Sequence, residues 1–199
     1  EEADPTNPLR RRGVIRLDCV YNSMPEARQL GVATKLLQSL VEDCREGRGC
    51  LRGTPCRFIV ATPFNTGEGL SMSQFYSKRG FKASPTESNI MYLPISEQYQ
   101  AGLTQGEYEP LPEDRGRAVV LYGPACEFSY PFAFRISELI KEAALDIPIE
   151  LINMWENPEE SIKRKNCTIV VNARPIKTFF MEREKFQREV KEALEKPPA

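Results

Sequence analysis

Three groups of side chains in this chain of 199 residues have the types and spacing to do chemistry. The first is Arg28-Gln29-Leu30-Gly31-Val32-Ala33-Thr34. A helix opening there leaves its first backbone N–H groups without partners, Gly31 and Ala33 let a ligand approach the backbone, and Thr34 adds a hydroxyl donor. The positive end of the helix dipole favours the same occupant, so the expected chemistry is phosphate binding. The second is Tyr76, a phenol of ordinary pKa ≈ 10 and one of the acid-base candidates open to a chain without histidine. The third is Cys126, in Gly123-Pro124-Ala125-Cys126-Glu127-Phe128-Ser129. Its spacing is C-x-x-S, so no second cysteine stands ready for local disulfide exchange. Histidine is absent, which excludes a Ser-His-Asp or Cys-His nucleophilic site and any histidine-ligated metal within this chain.

The elements that must position these groups follow from periodicity. Residues 14–20 form an apolar, β-branched run that reads as a strand, and Val32, Leu36, Leu37, Leu40 and Val41 fall at helical spacing. Glu46-Gly47-Arg48-Gly49 marks the helix stop, and residues 57–62 read as a buried strand. Strand, helix, strand is a βαβ unit with parallel strands. Residues 63–69 form a loop, 70–78 a short helix stopped by Gly80, and 81–82 and 89–95 extended segments. Residues 96–116 are rich in Gly, Pro, Glu and Gln and read as an interdomain linker. Beyond it lie a strand at 118–122, a helix at 129–144, a strand at 147–153 and a short charged helix at 158–165. A hairpin of 167–172 and 176–180 around Ala173-Arg174-Pro175 follows, then a last helix at 182–195. Tyr130 and Trp155 are expected to pack rather than to bind.

Hydrophobic content of 41%, charged content of 28% and a net charge of -1 describe an ordinary globular chain and argue against nucleic acid as a partner. No apolar run is long enough to cross a bilayer and residues 1–13 lack the apolar core of a signal peptide, so the expected compartment is the cytoplasm. The triplet Arg10-Arg11-Arg12 is expected to be solvated within a flexible lead-in. The six cysteines show no paired C-x-x-C spacing, and no metal site is expected.

Arg28-Gln29-Leu30-Gly31-Val32-Ala33 resembles the R/Q-x-x-G-x-G/A signature of the GNAT family of N-acetyltransferases. Phe75-Tyr76-Ser77-Lys78-Arg79-Gly80-Phe81 resembles that family's F/L-Y-x-x-x-G-F segment. The resemblance covers residues 14–95 and implies an acetyl-CoA-binding domain with a mixed sheet and flanking helices. By it, residues 28–34 grip the pyrophosphate of acetyl-CoA, Cys19 and Val20 offer backbone groups to the cosubstrate, and Tyr76 protonates the CoA thiolate. The acceptor is an amine of unknown identity, and neither Asp18 nor Glu26 is assigned as a base. Gly69 stands where the family usually carries Asn, and the connection from Val20 to Arg28 is longer than the commonest form. The family's strands and helices upstream of the acetyl-CoA strand have no counterpart here, which implies a longer protein or a dimer partner completing the sheet.

The order β-α-β-α-β-β-α in residues 117–196 resembles the thioredoxin fold, with Cys126 at the position of its reactive cysteine. By that resemblance Cys167 stands near the family's cis-proline position, which would set Cys126 and Cys167 close together as a redox-sensitive pair. The whole arrangement, including Asn172-Ala173-Arg174-Pro175-Ile176-Lys177-Thr178-Phe179-Phe180, resembles acetyltransferases that carry a YoaP-like C-terminal domain. The expected fold class is α/β, a partial GNAT sheet followed by a thioredoxin-like domain. Two functions follow: acetyl transfer from acetyl-CoA to an amine by direct attack, or a non-catalytic or thiol-redox module with a degenerate acetyltransferase half.

Overall fold

The computed structural model describes residues 1, 3–7, 11–18, 20, 24–63, 71–87, 89–102 and 106–195. Cys19 and residues 64–69 of the loop expected at 63–69 lie outside them. The chain divides into two compact units, residues 1–3 with 9–103 and residues 4–8 with 104–199. Each is mixed α/β and holds a four-stranded mixed sheet, with five α-helices among the described residues.

The first unit runs β1 (Val14–Leu17), α1 (Val32–Glu46), β2 (Phe58–Ala61), α2 (Met72–Ser77), β3 (Lys82–Ala83) and β4 (Met91–Pro94). β1 pairs parallel to β2, β2 antiparallel to β4, and β4 antiparallel to β3, giving the order β1-β2-β4-β3. Parallel strands cannot be joined by a tight turn, and α1 supplies the crossover. β2 is buried at all four positions because alternate residues feed two cores. Ile59 and Ala61 pack with Leu37, Cys44, Tyr76 and Phe81, while Phe58 and Val60 pack with Val14, Tyr92 and Tyr99.

Arg11 departs from the expected solvated triplet. Its guanidinium donates to both carboxylate oxygens of Glu1 at 2.7 Å and to the Gln100 carbonyl at 2.6 Å, and it lies 5.5 Å from the centroid of the Phe58 ring. A cation over an aromatic face, anchored on two sides, covers part of the second core.

α1 ends where Gly47 turns left-handed at φ 69° and its N–H donates to the Asp43 carbonyl. The chain then doubles back so closely that a Cβ on Gly47 would stand 2.6 Å from the backbone of Gly53 and Thr54. Gly47→Ala is therefore expected to cost about 2–4 kcal/mol, from positive φ and overlap together. Gly53→Ala, also at positive φ but with nothing within 4 Å, should cost only about 1 kcal/mol. Thermal unfolding followed by circular dichroism separates the two variants; equal losses would show that overlap at Gly47 is relieved by a small shift.

The second unit runs β5 (Ala118–Tyr122), α3 (Ser129–Ala143), β6 (Ile149–Asn153), α4 (Pro158–Lys163), β7 (Ile169–Val171), β8 (Arg174–Pro175) and α5 (Arg183–Glu195). The sheet order is β6-β5-β7-β8, with β5 parallel to β6 and antiparallel to β7. Ala118 and Val120 face Ala133, Ile136 and Ile140 of α3 and Phe186 and Val190 of α5, whereas Val119 and Leu121 pack with Ile152 and Met154.

Residues 108–116, expected within a linker, are instead built into this unit. Asp114 and Arg164 are both fully buried and form a two-pronged ion pair, Nε to Oδ2 at 2.9 Å and Nη2 to Oδ1 at 2.5 Å. The Tyr108 hydroxyl donates to Asp114 at 2.9 Å and Arg117 donates at 3.0 Å. Arg164 also donates to the Glu160 carboxylate at 2.6 Å. Burial alone would raise the Asp114 pKa, but hydrogen bonds from Arg164, Tyr108 and Arg117 outweigh it and hold the carboxyl below its ordinary value of 3.8.

The hairpin turns earlier than its proline suggested. Asn172 and Ala173 both take positive φ, 48° and 56°, and Val171 pairs with Arg174. Two left-handed residues make the tight turn whose twist suits a hairpin, and asparagine tolerates that conformation. Residues 176–180 do not continue as a strand, although the Ile176 amide still donates to the Ile169 carbonyl at 2.9 Å. Tyr130 and Trp155 are more exposed than expected, at 54% and 44%, since each sits on an outward face, with only the Tyr130 ring resting edge-on against Tyr122. Among the described residues, no helix is long and apolar enough to cross a membrane.

Candidate functional site

The segment joining β1 to α1 ends in a turn at residues 28–31. Gln29 and Gly31 both adopt positive φ, 63° and 77°, so the chain winds tightly before the helix. Gly31 is the N-cap residue; its carbonyl accepts from the Lys35 amide at 3.0 Å, and no side chain caps the helix. The amides of Val32, Ala33 and Thr34 are therefore those an α-helix cannot satisfy within itself. A Cβ built on Gly31 would meet nothing within 4 Å. Leu30 and Val32 are 67% and 43% exposed, so neither side chain anchors the turn in the core. Arg28 lies in the turn just before, after the 3₁₀ turn Pro25–Ala27. The strand expected to reach Val20 ends at Leu17, and Asp18 pairs with Arg16 at 2.7 Å. Val20 packs at the margin of the core.

Tyr76 is on the buried face of α2 and is 1% exposed. Its ring meets Phe75 edge-on at 5.4 Å between centroids and Phe81 at 5.0 Å. The aromatic positions of the Phe75–Phe81 segment thus form one packed cluster, and the phenol is part of the core of the first unit.

Arg79 is the residue that sequence reasoning passed over. Its guanidinium lies 3.7 Å from the Phe75 ring centroid, donates to the Phe75 carbonyl at 2.8 Å, and donates to the Thr34 hydroxyl oxygen. One side chain thereby ties the first turn of α1 to the end of α2. As acceptor in that bond, the Thr34 hydroxyl keeps its own hydrogen for another partner. Thr34, Gln38, Arg45, Lys78, Arg79 and Leu93 line a cavity of about 720 Å³ along α1. Arg79 occupies a variable position of its motif, so its presence carried no signal until the ring beneath it and the hydroxyl opposite were placed.

In the second unit Cys126 lies half-buried in the turn before α3, where its carbonyl accepts from the Ser129 amide at 3.0 Å. The Ser129 hydroxyl accepts from the Gly123 amide at 2.9 Å and closes the same turn. Cys167 is half-buried, its thiol 3.4 Å from the Ile169 carbonyl, and burial raises its pKa. Both are free thiols. A cavity of about 320 Å³ is lined by Ser129, Phe132, Ile136, Thr168, Lys177 and Phe179, with neither cysteine on its wall.

Among the described residues, no group of three or more Cys, Asp or Glu side chains is arranged to hold a metal ion. No family model matches the chain, and neither a curated protein nor a solved structure does.

Proposed function

We propose that the chain is an acetyl-CoA-dependent N-acetyltransferase of the GNAT type, acting on an amine by direct attack. The observation that carries this reading is Gly31, left-handed and open to approach at the start of a fifteen-residue helix that crosses between two parallel strands. The amides of residues 32–34, the hydroxyl of Thr34 and the charge of Arg28 bind the diphosphate, with Gln29 and Leu30 setting the turn. The cations lining the α1 cavity favour the same polyanion. Val20 flanks the thioester arm. The amine nitrogen forms a bond to the thioester carbonyl carbon, the C–S bond breaks, the nitrogen loses a proton to water, and the leaving sulfur takes a proton from Tyr76, whose buried hydroxyl must first be uncovered. Most of the acceleration comes from holding amine and thioester together. The second unit, in the order β-α-β-α-β-β-α, is read as a thioredoxin-like domain of the YoaP-like kind.

The test is calorimetry with acetyl-CoA on the whole chain, followed by release of CoA thiol with a panel of primary amines. Saturable binding and amine-dependent thiol release are expected. Tyr76→Phe keeps the ring and its packing, so kcat should fall about 10²-fold with KM and thermal stability little changed. An unchanged kcat would remove Tyr76 from the mechanism. Absence of acetyl-CoA binding, with rapid selective alkylation of Cys126, would favour the thiol-redox reading instead.

A further inference from the structure

The crossover between α1 and β2 holds a second group of reactive side chains. Cys44, in the last turn of α1, and Cys56, just before β2, are 1% and 0% exposed, and the Cys56 amide donates to the Cys44 carbonyl at 2.7 Å. A direct backbone hydrogen bond sets the two Cα atoms at about the 4.4–6.8 Å separation that a disulfide spans. The Cys56 thiol donates to the Phe58 carbonyl at 3.1 Å. The segment between them is wound to keep them so: Gly47, Gly49, Arg52 and Gly53 all take positive φ, and the Gly53 amide donates to the Gly47 carbonyl at 2.7 Å. At the tip of that loop, in the 3₁₀ turn Gly49–Leu51, stands Cys50, exposed and six residues along the chain from each of the pair.

We propose that Cys44 and Cys56 form a redox-active dithiol that low-molecular-weight disulfides oxidise by way of Cys50. The step balances without any further reagent. The Cys50 thiolate attacks one sulfur of a disulfide such as oxidised glutathione, whose S–S bond breaks and releases one glutathione thiol. A thiol of the buried pair then loses its proton and attacks the Cys50 sulfur, releasing the second glutathione thiol if the mixed disulfide is cut at its inner sulfur. Its partner attacks in turn, the Cys50 thiolate leaves and is reprotonated, and the Cys44–Cys56 bond remains. Two protein thiols are oxidised and one external disulfide is reduced to two thiols.

The environment suits the exchange. The neighbouring Cys44 thiol lowers the Cys56 pKa, with burial opposing it. The same neighbouring thiol, together with burial, raises Cys44, so Cys56 is the member of the pair that ionises first. An exposed entry thiol is needed because neither buried sulfur can be reached from solvent.

The experiment incubates the reduced whole chain with oxidised glutathione, quenches with iodoacetamide, and maps peptides by mass. A linked Cys44–Cys56 peptide is expected, reversible by dithiothreitol. Cys50→Ser should slow its formation at least about tenfold, and Cys56→Ala should accumulate glutathione on Cys50. Wild-type protein in which Cys44 and Cys56 are both still alkylated after denaturation would overturn the dithiol, as would a bridge found only at Cys126 or Cys167. Formation in Cys50→Ser at the wild-type rate would overturn the route through Cys50. None of these readouts depends on acetyl-CoA.

Discussion

Replacing Arg164 by methionine should destabilise the second unit by about 3–5 kcal/mol, because it strands a fully buried carboxylate without its main counter-charge. Methionine restores much of the volume, so the loss is electrostatic rather than a cavity. The Tyr108 hydroxyl and Arg117 still donate to Asp114, which places the value toward the lower end of that range. Trp155, the single tryptophan, belongs to this unit, so urea titration followed by its fluorescence reports the second unit alone. The doubly substituted Asp114→Leu/Arg164→Met chain should be less impaired than the sum of the two single changes, since neither charge then remains buried. Additive losses would show that the pair is not coupled as its geometry implies.

The same cluster sets a pH dependence. The folded-state pKa of Asp114 lies below 3.8, so its contribution to stability is fully present above the unfolded value and lost as pH falls through the folded one. Glu160 and Glu189 are also held below 4.5: burial opposes this in each, and hydrogen bonds from Lys163 and Arg164, or from Lys177 and Thr178, outweigh it. In Arg164→Met the Asp114 pKa rises instead, and its protonation relieves the unpaired charge. The gap between wild type and variant should therefore narrow as pH is lowered toward 4, and a constant gap would mean that Asp114 is not the stranded group.

How far the sequence could foretell this fold depends on the range of each interaction. The two central strands, 58–61 and 118–122, were legible as apolar runs, because a strand buried on both faces must be apolar at every position. The start and stop of α1 were legible at Gly31 and Gly47, because glycine marks left-handed backbone locally. What failed was pairing across distance. Asp114 stood in a stretch with linker composition and Arg164 in a charged run, and only tertiary structure brings them together and buries both. Arg79 on Phe75 and Arg11 on Phe58 failed for the same reason. Pro175 misplaced the hairpin turn: it pairs with Val170 on the outer strand β8, where proline's missing N–H faces no neighbour.

Gly31→Asn separates the chemistry of the α1 start from its folding. Asparagine tolerates the left-handed conformation that Gly31 adopts at φ 77°, and its Cβ meets no atom within 4 Å, so the melting temperature should move by only about 1–3 °C. Its amide, however, would project into the space through which, in the proposed binding mode, the diphosphate reaches the amides of Val32 and Ala33. Losing that approach, with the favourable end of the helix dipole behind it, should weaken acetyl-CoA binding at least about tenfold, or 1.4 kcal/mol. Calorimetry at two ionic strengths reads the effect, since a diphosphate held by amides and by Arg28 also binds more weakly as salt rises. Gly31→Ala is the complementary variant: its side chain is smaller, but positive φ costs it about 1 kcal/mol of stability. If acetyl-CoA binds Gly31→Asn as tightly as wild type, the diphosphate does not lie over this helix start, and the basic cavity between Thr34 and Arg79 becomes the place to look for it.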